Sequence, residues 1–205
     1  CALSGYGQSG PYRDRAGHDL NYQAVAGLLG FGRLPGEPPA LPNVQIADLA
    51  GGMLAAVRIL GALAGRGRTG QGACLDVALV DGPLTWLAAL GVLRRPAEAP
   101  TQRPPLAGGL PCYNIYATAD GAYVTLAALE PAFWADFCRA AGRPDLIPRQ
   151  TDPATAAELT ALFRSRPQAE WLALAEAVDA CLEPMPAPAA VHPQAQARQA
   201  ALGLD

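Results

Sequence analysis

Apolar residues settle into a helical period at Leu20, Ala24, Val25 and Leu28, and that spacing predicts a helix over residues 17–29. Before it, residues 1–16 read as a strand end running into the loop Ser4-Gly5-Tyr6-Gly7-Gln8-Ser9-Gly10-Pro11, where recurrent Gly and Pro oppose regular structure. Four prolines between residues 30 and 43 predict a second loop. Residues 46–64 are apolar at nearly every position, with Asp48 in the first turn and Gly51-Gly52 permitting close packing, which predicts a long helix buried on most sides. The Gly-rich run from Gly65 to Gly72 ends it. Residues 73–80 alternate well enough for a strand, and Asp81-Gly82 opens a further helix to Leu93.

Beyond this helix the character changes. Residues 94–111 hold five prolines in 18 positions, a composition break that predicts a linker. Cys112 to Ala117 and Ala122 to Ala127 read as short strands joined by Thr118-Ala119-Asp120-Gly121, and Asp-Gly between two such runs is a hairpin signal. Helices are predicted from Pro131 to about Ala141, the first with Pro at its favoured opening position, and over residues 153–165, 168–178 and 188–201. The expected organisation is an α/β region over residues 1–93, a linker over 94–111, a smaller α+β domain over 112–187 and a helical segment over 188–205.

Composition narrows the classes of function. The chain has 205 residues, 51% hydrophobic and 16% charged, enough to bury a substantial core. Fifteen arginines and no lysine oppose 18 acidic residues, a net charge of −3 without a basic cluster, so no nucleic-acid partner and no anionic membrane is expected. The absence of Lys also removes a Walker phosphate loop. No uninterrupted apolar run approaches the roughly 18 to 20 residues of a membrane helix, and Cys1-Ala2-Leu3-Ser4-Gly5 resembles no signal peptide. A cytoplasmic location is expected. Because the chain begins without Met, it reads as a piece of something longer. The five cysteines, at 1, 74, 112, 138 and 181, show no metal-knuckle or dithiol spacing and read as reduced, mostly buried thiols. No metal is expected.

Few residues can carry proton chemistry. The histidines are His18 and His192; His18 falls at a helix start beside Gly17 and Asp19, whereas His192 precedes Pro193 in an Ala- and Gln-rich tail. Asp48 lies in an apolar stretch where a buried carboxylate requires a partner, although it also reads as a helix N-terminal carboxylate. Glu130 follows the apolar run Leu126 to Leu129 and precedes a helix, so it reads as a carboxylate at that helix's N-terminus. Asp19, Asn21 and Asn43 read as caps and turn formers. Gly5, Gly7 and Gly10 match G-x-G-x-x-G, but no apolar helical period follows, so the stretch reads as a plain loop.

Taken together, Gly17-His18-Asp19-Leu20-Asn21-Tyr22, Ile46-Ala47-Asp48-Leu49-Ala50-Gly51-Gly52 and Arg68-Thr69-Gly70-Gln71-Gly72 resemble the family III CoA-transferases (CaiB/BaiF family), and most of all their α-methylacyl-CoA racemases. The loop at residues 4–11, Thr118-Ala119-Asp120-Gly121 and Leu129-Glu130-Pro131 extend the likeness to about residue 195. The resemblance implies part of a Rossmann-like large CoA-binding domain plus the smaller domain, interlocked with a second copy as a homodimer. An N-terminal portion and a C-terminal return segment of the family would be missing. It further implies an acyl-CoA substrate, coenzyme A entering as part of that substrate, and no covalently bound cofactor. His18 and Asp48 would be the paired acid and base, Glu130 would orient His18, and Gly17, Asp19, Leu20, Asn21 and Tyr22 would line the substrate site. The implied reaction is racemisation of a 2-methyl-branched acyl-CoA through an enolate. The alternative is CoA transfer between carboxylic acids, with Asp48 as covalent nucleophile. Two features depart from the racemase pattern: its Asn four residues before the aspartate falls on Val44, with Asn43 five before, and methionine is confined to Met53 and Met185.

Overall fold

A computed structural model of the chain describes residues 1–90, 101–188 and 190–204. Residues 91–93 of the predicted third helix, residues 94–100 of the predicted linker, Ala189 and Asp205 lie outside the described residues. The chain divides into two units, Cys1–Thr101 and Gln102–Asp205.

In the first unit, strand β1 (Ala2–Ser4) pairs in parallel with β2 (Asp76–Ala78), with Leu3 opposite Val77. Parallel partners need a long crossover, and here it carries helices α1 (Asp19–Ala26) and α2 (Ile46–Thr69). Helix α3 (Asp81–Ala89) follows β2. Residues 5–16 form the predicted loop, with no helix opening on its glycines. Helix α2 runs five residues past its predicted end. Arg66 and Arg68 in the last turn suit the helix dipole, and Gly70 supplies the left-handed stop at φ 71°.

The packing of α2 corrects one expectation. Its buried positions are Ala47, Ala50, Gly51 and Ala55, a stripe of small residues that lets β2 and α3 approach closely. A methyl group built on Gly82 of α3 would meet the Ala50 Cβ. The large apolar side chains point the other way, with Leu49 59%, Met53 71%, Val57 66% and Leu60 65% exposed. The helix is therefore buried along one narrow face. A second expectation also changes, because α2 is long and apolar enough to cross a membrane by length and composition alone. Asp48 interrupts the apolar run without breaking the helix.

The second unit is built on an antiparallel sheet ordered β3 (Tyr113–Ala117), β4 (Tyr123–Ala127), β5 (Leu182–Pro184). The predicted hairpin is present, with Ile115 opposite Thr125 and Gly121 at φ 78° in the turn. Asp120 holds that turn by accepting from the Thr118 hydroxyl at 2.5 Å. Its other oxygen accepts from the Gln168 N–H at 3.1 Å, at the start of α6 (Gln168–Ala177). Helices α4 (Pro131–Ala140), α5 (Thr155–Phe163) and α7 (Pro193–Leu202) complete the unit. Strand β5 is absent from the sequence reading because its three residues have no pattern of their own; pairing with β4 defines it. Helix α7 starts five residues later than predicted, at Pro193, where His192 Nδ1 accepts from the Gln194 N–H at 3.2 Å.

Sheet and helices enclose an aromatic core. Phe163 stacks on Tyr116 at 4.7 Å and on Phe137 at 5.6 Å, and packs against Trp171 at 4.7 Å. Trp134 and Trp171 satisfy their indole N–H groups on the carbonyls of Leu146 and Phe163, at 3.1 and 3.0 Å. All five cysteines are free; Cys112 and Cys138 are buried, Cys181 is half-buried, and Cys1 and Cys74 are exposed. Burial pushes the Cys138 thiol up to about 12, which keeps it protonated and inert.

Two expectations for stability follow. Gly82→Ala should destabilise the chain by about 1–3 kcal/mol through overpacking against Ala50, whereas Gly52→Ala, which meets nothing nearby, should not; thermal unfolding compares the two. At the surface of the second unit, Arg143 and Arg149 both bond Glu158, at 2.5 and 2.6 Å. Those bonds hold Glu158 below its ordinary range, as the Arg143 side chain does for Asp145. Carboxylates lowered in the folded state bind fewer protons than in the unfolded one, so their stabilisation is complete above the ordinary carboxylate range of about 4 and is lost as pH falls below it. The melting temperature of Glu158→Gln should lie below that of the parent at pH 7, and the gap should narrow as pH falls below about 4.

Candidate active site

His18 is the residue from which α1 starts. Its backbone is extended (φ −127°, ψ 174°), and its N–H donates to the Asn21 side-chain oxygen at 3.1 Å, which settles the first helical turn. The imidazole is left exposed. Behind it, the Tyr22 hydroxyl donates to the Gly17 carbonyl at 2.5 Å. A Cβ on Gly17 would come within 2.9 Å of both Tyr22 and Tyr6, so only glycine permits this packing. Burial, with the charges of Tyr6 and Asp48 adding, pushes the Tyr22 phenol up, and it remains a neutral donor.

Asp19 connects this turn to α2. Its carboxylate is 7% exposed. One oxygen accepts from the backbone N–H groups of Ala47 and Asp48 at 2.7 and 3.1 Å, and the other from the Gln23 side chain at 2.5 Å. The N-terminus of α2 is thus capped by α1. Gln45, which occupies the cap position of α2, makes no side-chain capping bond. One carboxylate therefore sets the height of Asp48 relative to His18.

His18, Asp19, Leu20, Leu41, Pro42, Gln45 and Asp48 line one cleft of about 330 Å³. The imidazole and the Asp48 carboxylate both belong to exposed residues and share this space with an apolar wall of Leu20, Leu41 and Pro42. A larger cleft of about 550 Å³ lies in the second unit, lined by Leu106, Tyr113, Ile115 and Thr125, and it has no carboxylate, imidazole or thiol on its walls. A cleft of about 280 Å³ in the second unit also carries proton-handling groups, His192, Glu176 and Glu183; the His18 and Asp48 cleft is the one formed by the predicted site residues.

The structure brings together His18, Asp19, Leu20 and Asp48 of the predicted set. Gly17, Asn21 and Tyr22 do not line the cleft but brace the turn that presents His18. Glu130 is exposed at the cap position of α4, within the second unit, with no side-chain capping bond. Asn43 is exposed and lies off the cleft lining, and Val44 contributes only its carbonyl, which accepts from Ile46 at 2.9 Å. Sequence reasoning missed Leu41, Pro42 and Gln45. The proline cluster marked a loop without saying which way it folds, and the i, i+3 spacing of Gln45 to Asp48 was the available signal. Among the described residues, no group of three or more His, Cys, Asp or Glu could hold a metal ion.

Comparison with known proteins bears on this arrangement. The family pattern described as CoA-transferase family III matches residues 1–205. Alpha-methylacyl-CoA racemase of Homo sapiens is 36% identical over 191 residues, covering 89% of this chain and 50% of that protein. Succinyl-CoA--D-citramalate CoA-transferase of Chloroflexus aurantiacus is 32% identical over 164 residues, covering 74% and 37%. Among solved structures, a CAIB/BAIF family protein from Brucella suis superposes with a TM-score of 0.72 at 29% identity, covering 96% of this chain and 55% of that one. The chain spans about half the length of the racemases it matches.

The cap role of Asp19 has a measurable consequence. Asp19→Ala leaves the buried Ala47 N–H and the part-buried Asp48 N–H unpaired and should cost about 1–3 kcal/mol, read by chemical denaturation, whereas Asn21→Ala, at an exposed position, should cost under about 1 kcal/mol.

Proposed function

The chain belongs to CoA-transferase family III, and from that premise we propose that the whole protein inverts the configuration of a 2-methyl-branched acyl-CoA at the carbon next to the thioester. His18 and Asp48 act as the acid and base: one removes the α-proton, and the other returns a proton to the opposite face of the planar enolate. Inversion requires two groups, because a single base would return the proton to the face it left. The enolate oxygen is met by the first backbone amides of α1, at Asp19 and Leu20, which precede the hydrogen-bond ladder of the helix and sit at its positive end. Glu130 orients the His18 imidazole when two copies assemble as an interlocked homodimer. Leu20, Leu41 and Pro42 receive the branched acyl group, and coenzyme A arrives as part of the substrate. The reaction is placed in the cytoplasm.

The observation that carries this reading is the shared cleft of His18 and Asp48. A second reading is favoured by the CoA-transferases among the similar proteins. In it, an Asp48 oxygen attacks the thioester carbonyl and expels the CoA thiolate. The thiolate then attacks the resulting anhydride at the aspartyl carbonyl, releasing the acyl carboxylate and leaving CoA on Asp48 for transfer. This route makes no use of the imidazole, and His18 therefore weighs towards inversion.

Incubating the whole protein with a 2-methylacyl-CoA in deuterium oxide and hydroxylamine separates the two. Deuterium should enter the α-carbon and Asp48 should stay unmodified. Hydroxamate at Asp48, with CoA passing to an added carboxylic acid, would overturn inversion in favour of transfer. His18→Ala should lower the exchange rate by at least about 100-fold, the usual scale for losing a positioned acid or base.

A further inference from the structure

The cap arrangement at the start of α2 leaves a polar side chain with no structural task. Gln45 occupies the position whose side chain ordinarily satisfies the first amides of a helix. Those amides, of Ala47 and Asp48, are already taken by the Asp19 carboxylate at 2.7 and 3.1 Å, and the Ile46 N–H is taken by the Val44 carbonyl at 2.9 Å. The Gln45 carboxamide accordingly caps nothing, and it lines the cleft that holds His18 and Asp48. On the α2 side of that cleft, its NH2 group is the neutral donor available to a ligand, because the helix amides face Asp19 and the neighbouring walls, Leu41 and Pro42, are apolar.

We infer that Gln45 donates a hydrogen bond to the thioester oxygen of the bound acyl-CoA, from the side opposite the α1 amides, and strengthens that bond as the oxygen gains charge. The inference rests on the inversion reading for its substrate. A carboxamide suits the role: it is uncharged, so it does not compete with Asp48 as a base, and it keeps donors at every working pH. A donor aimed at a developing oxyanion acts on the rate more than on substrate affinity, since its bond is stronger in the transition state than in the ground state. Because the side chain is held by one helix end and not by a rigid pair of amides, its contribution belongs at or below the lower end of the range known for oxyanion donors.

The test uses Gln45→Met and Gln45→Glu in the whole protein. Gln45→Met keeps the bulk and removes the donors; kcat for α-proton exchange should fall about 10- to 100-fold, with KM within about twofold and the melting temperature unchanged. Gln45→Glu places an acceptor there, so it should be slower than Gln45→Met at pH 7. Its rate relative to the parent should climb as pH falls from 7 towards the ordinary glutamate range of about 4.3, where a growing share of the carboxyl regains a proton and with it a donor. A merely structural role would not produce that pH-dependent ratio. Gln45→Met with an undiminished kcat, or a Glu-to-parent ratio flat in pH, overturns the inference. If the parent shows CoA transfer in place of exchange, the inversion reading fails by itself. The same variants are then assayed for transfer, in which the thioester oxygen also gains charge, and an unchanged transfer kcat overturns the role of Gln45.

Discussion

The buried carboxylate of Asp19 is the interaction on which the first unit depends. A helix end leaves amides that must find acceptors, and α2 finds them on a residue 28 positions earlier in the chain. The bond from Gln23 satisfies the second oxygen, so a charge that burial would otherwise penalise is held on both sides. Because the acceptor belongs to α1, the capping bond also ties the two helix starts together. His18 is adjacent to Asp19 in sequence, and Asp48 is itself one of the capped residues. The two groups proposed to handle protons are thereby positioned by a single carboxylate that takes no part in the chemistry.

The two units reach stability by different means. The first relies on close backbone approach, with Ala47, Ala50, Gly51 and Ala55 facing β2 and α3 and the large apolar side chains of α2 facing outward. The second has a dense aromatic centre formed by Tyr116, Trp134, Phe137, Phe163 and Trp171, with both indole N–H groups satisfied on carbonyls. Small-residue packing buries little area per contact, so the first unit gains less from apolar burial than its composition suggests. The exposed stripe of α2 carries the apolar surface that its own unit does not cover.

Much of this was legible along the chain. The hairpin around Asp120-Gly121, the helices opening at Pro131 and Asp81, and the loop at residues 5–16 each follow from local chemistry that tertiary contacts do not override. The family was legible from ordered motifs. Other features required the third dimension. A helix apolar on all sides does not state which face packs, and only the structure shows that the small residues of α2 face inward. Strand β5 exists because β4 has a free edge. Asp19 reads as a local cap in sequence, and nothing in its neighbourhood reveals that the amides it caps lie on another helix.

That last point governs how the cleft acquires its polarity. An N-terminal helix end without a cap offers its amides to a ligand, and α2 would do so had no acceptor been present. Asp19 instead neutralises that end from within the protein and adds a negative charge behind it. Under the proposed inversion, the enolate oxygen would accordingly be met by the Asp19 and Leu20 amides of α1 and not by the amides of α2, which Asp19 already holds. The remaining freedom on the α2 side belongs to side chains alone, and Gln45 is the one that the cap arrangement releases into the cleft.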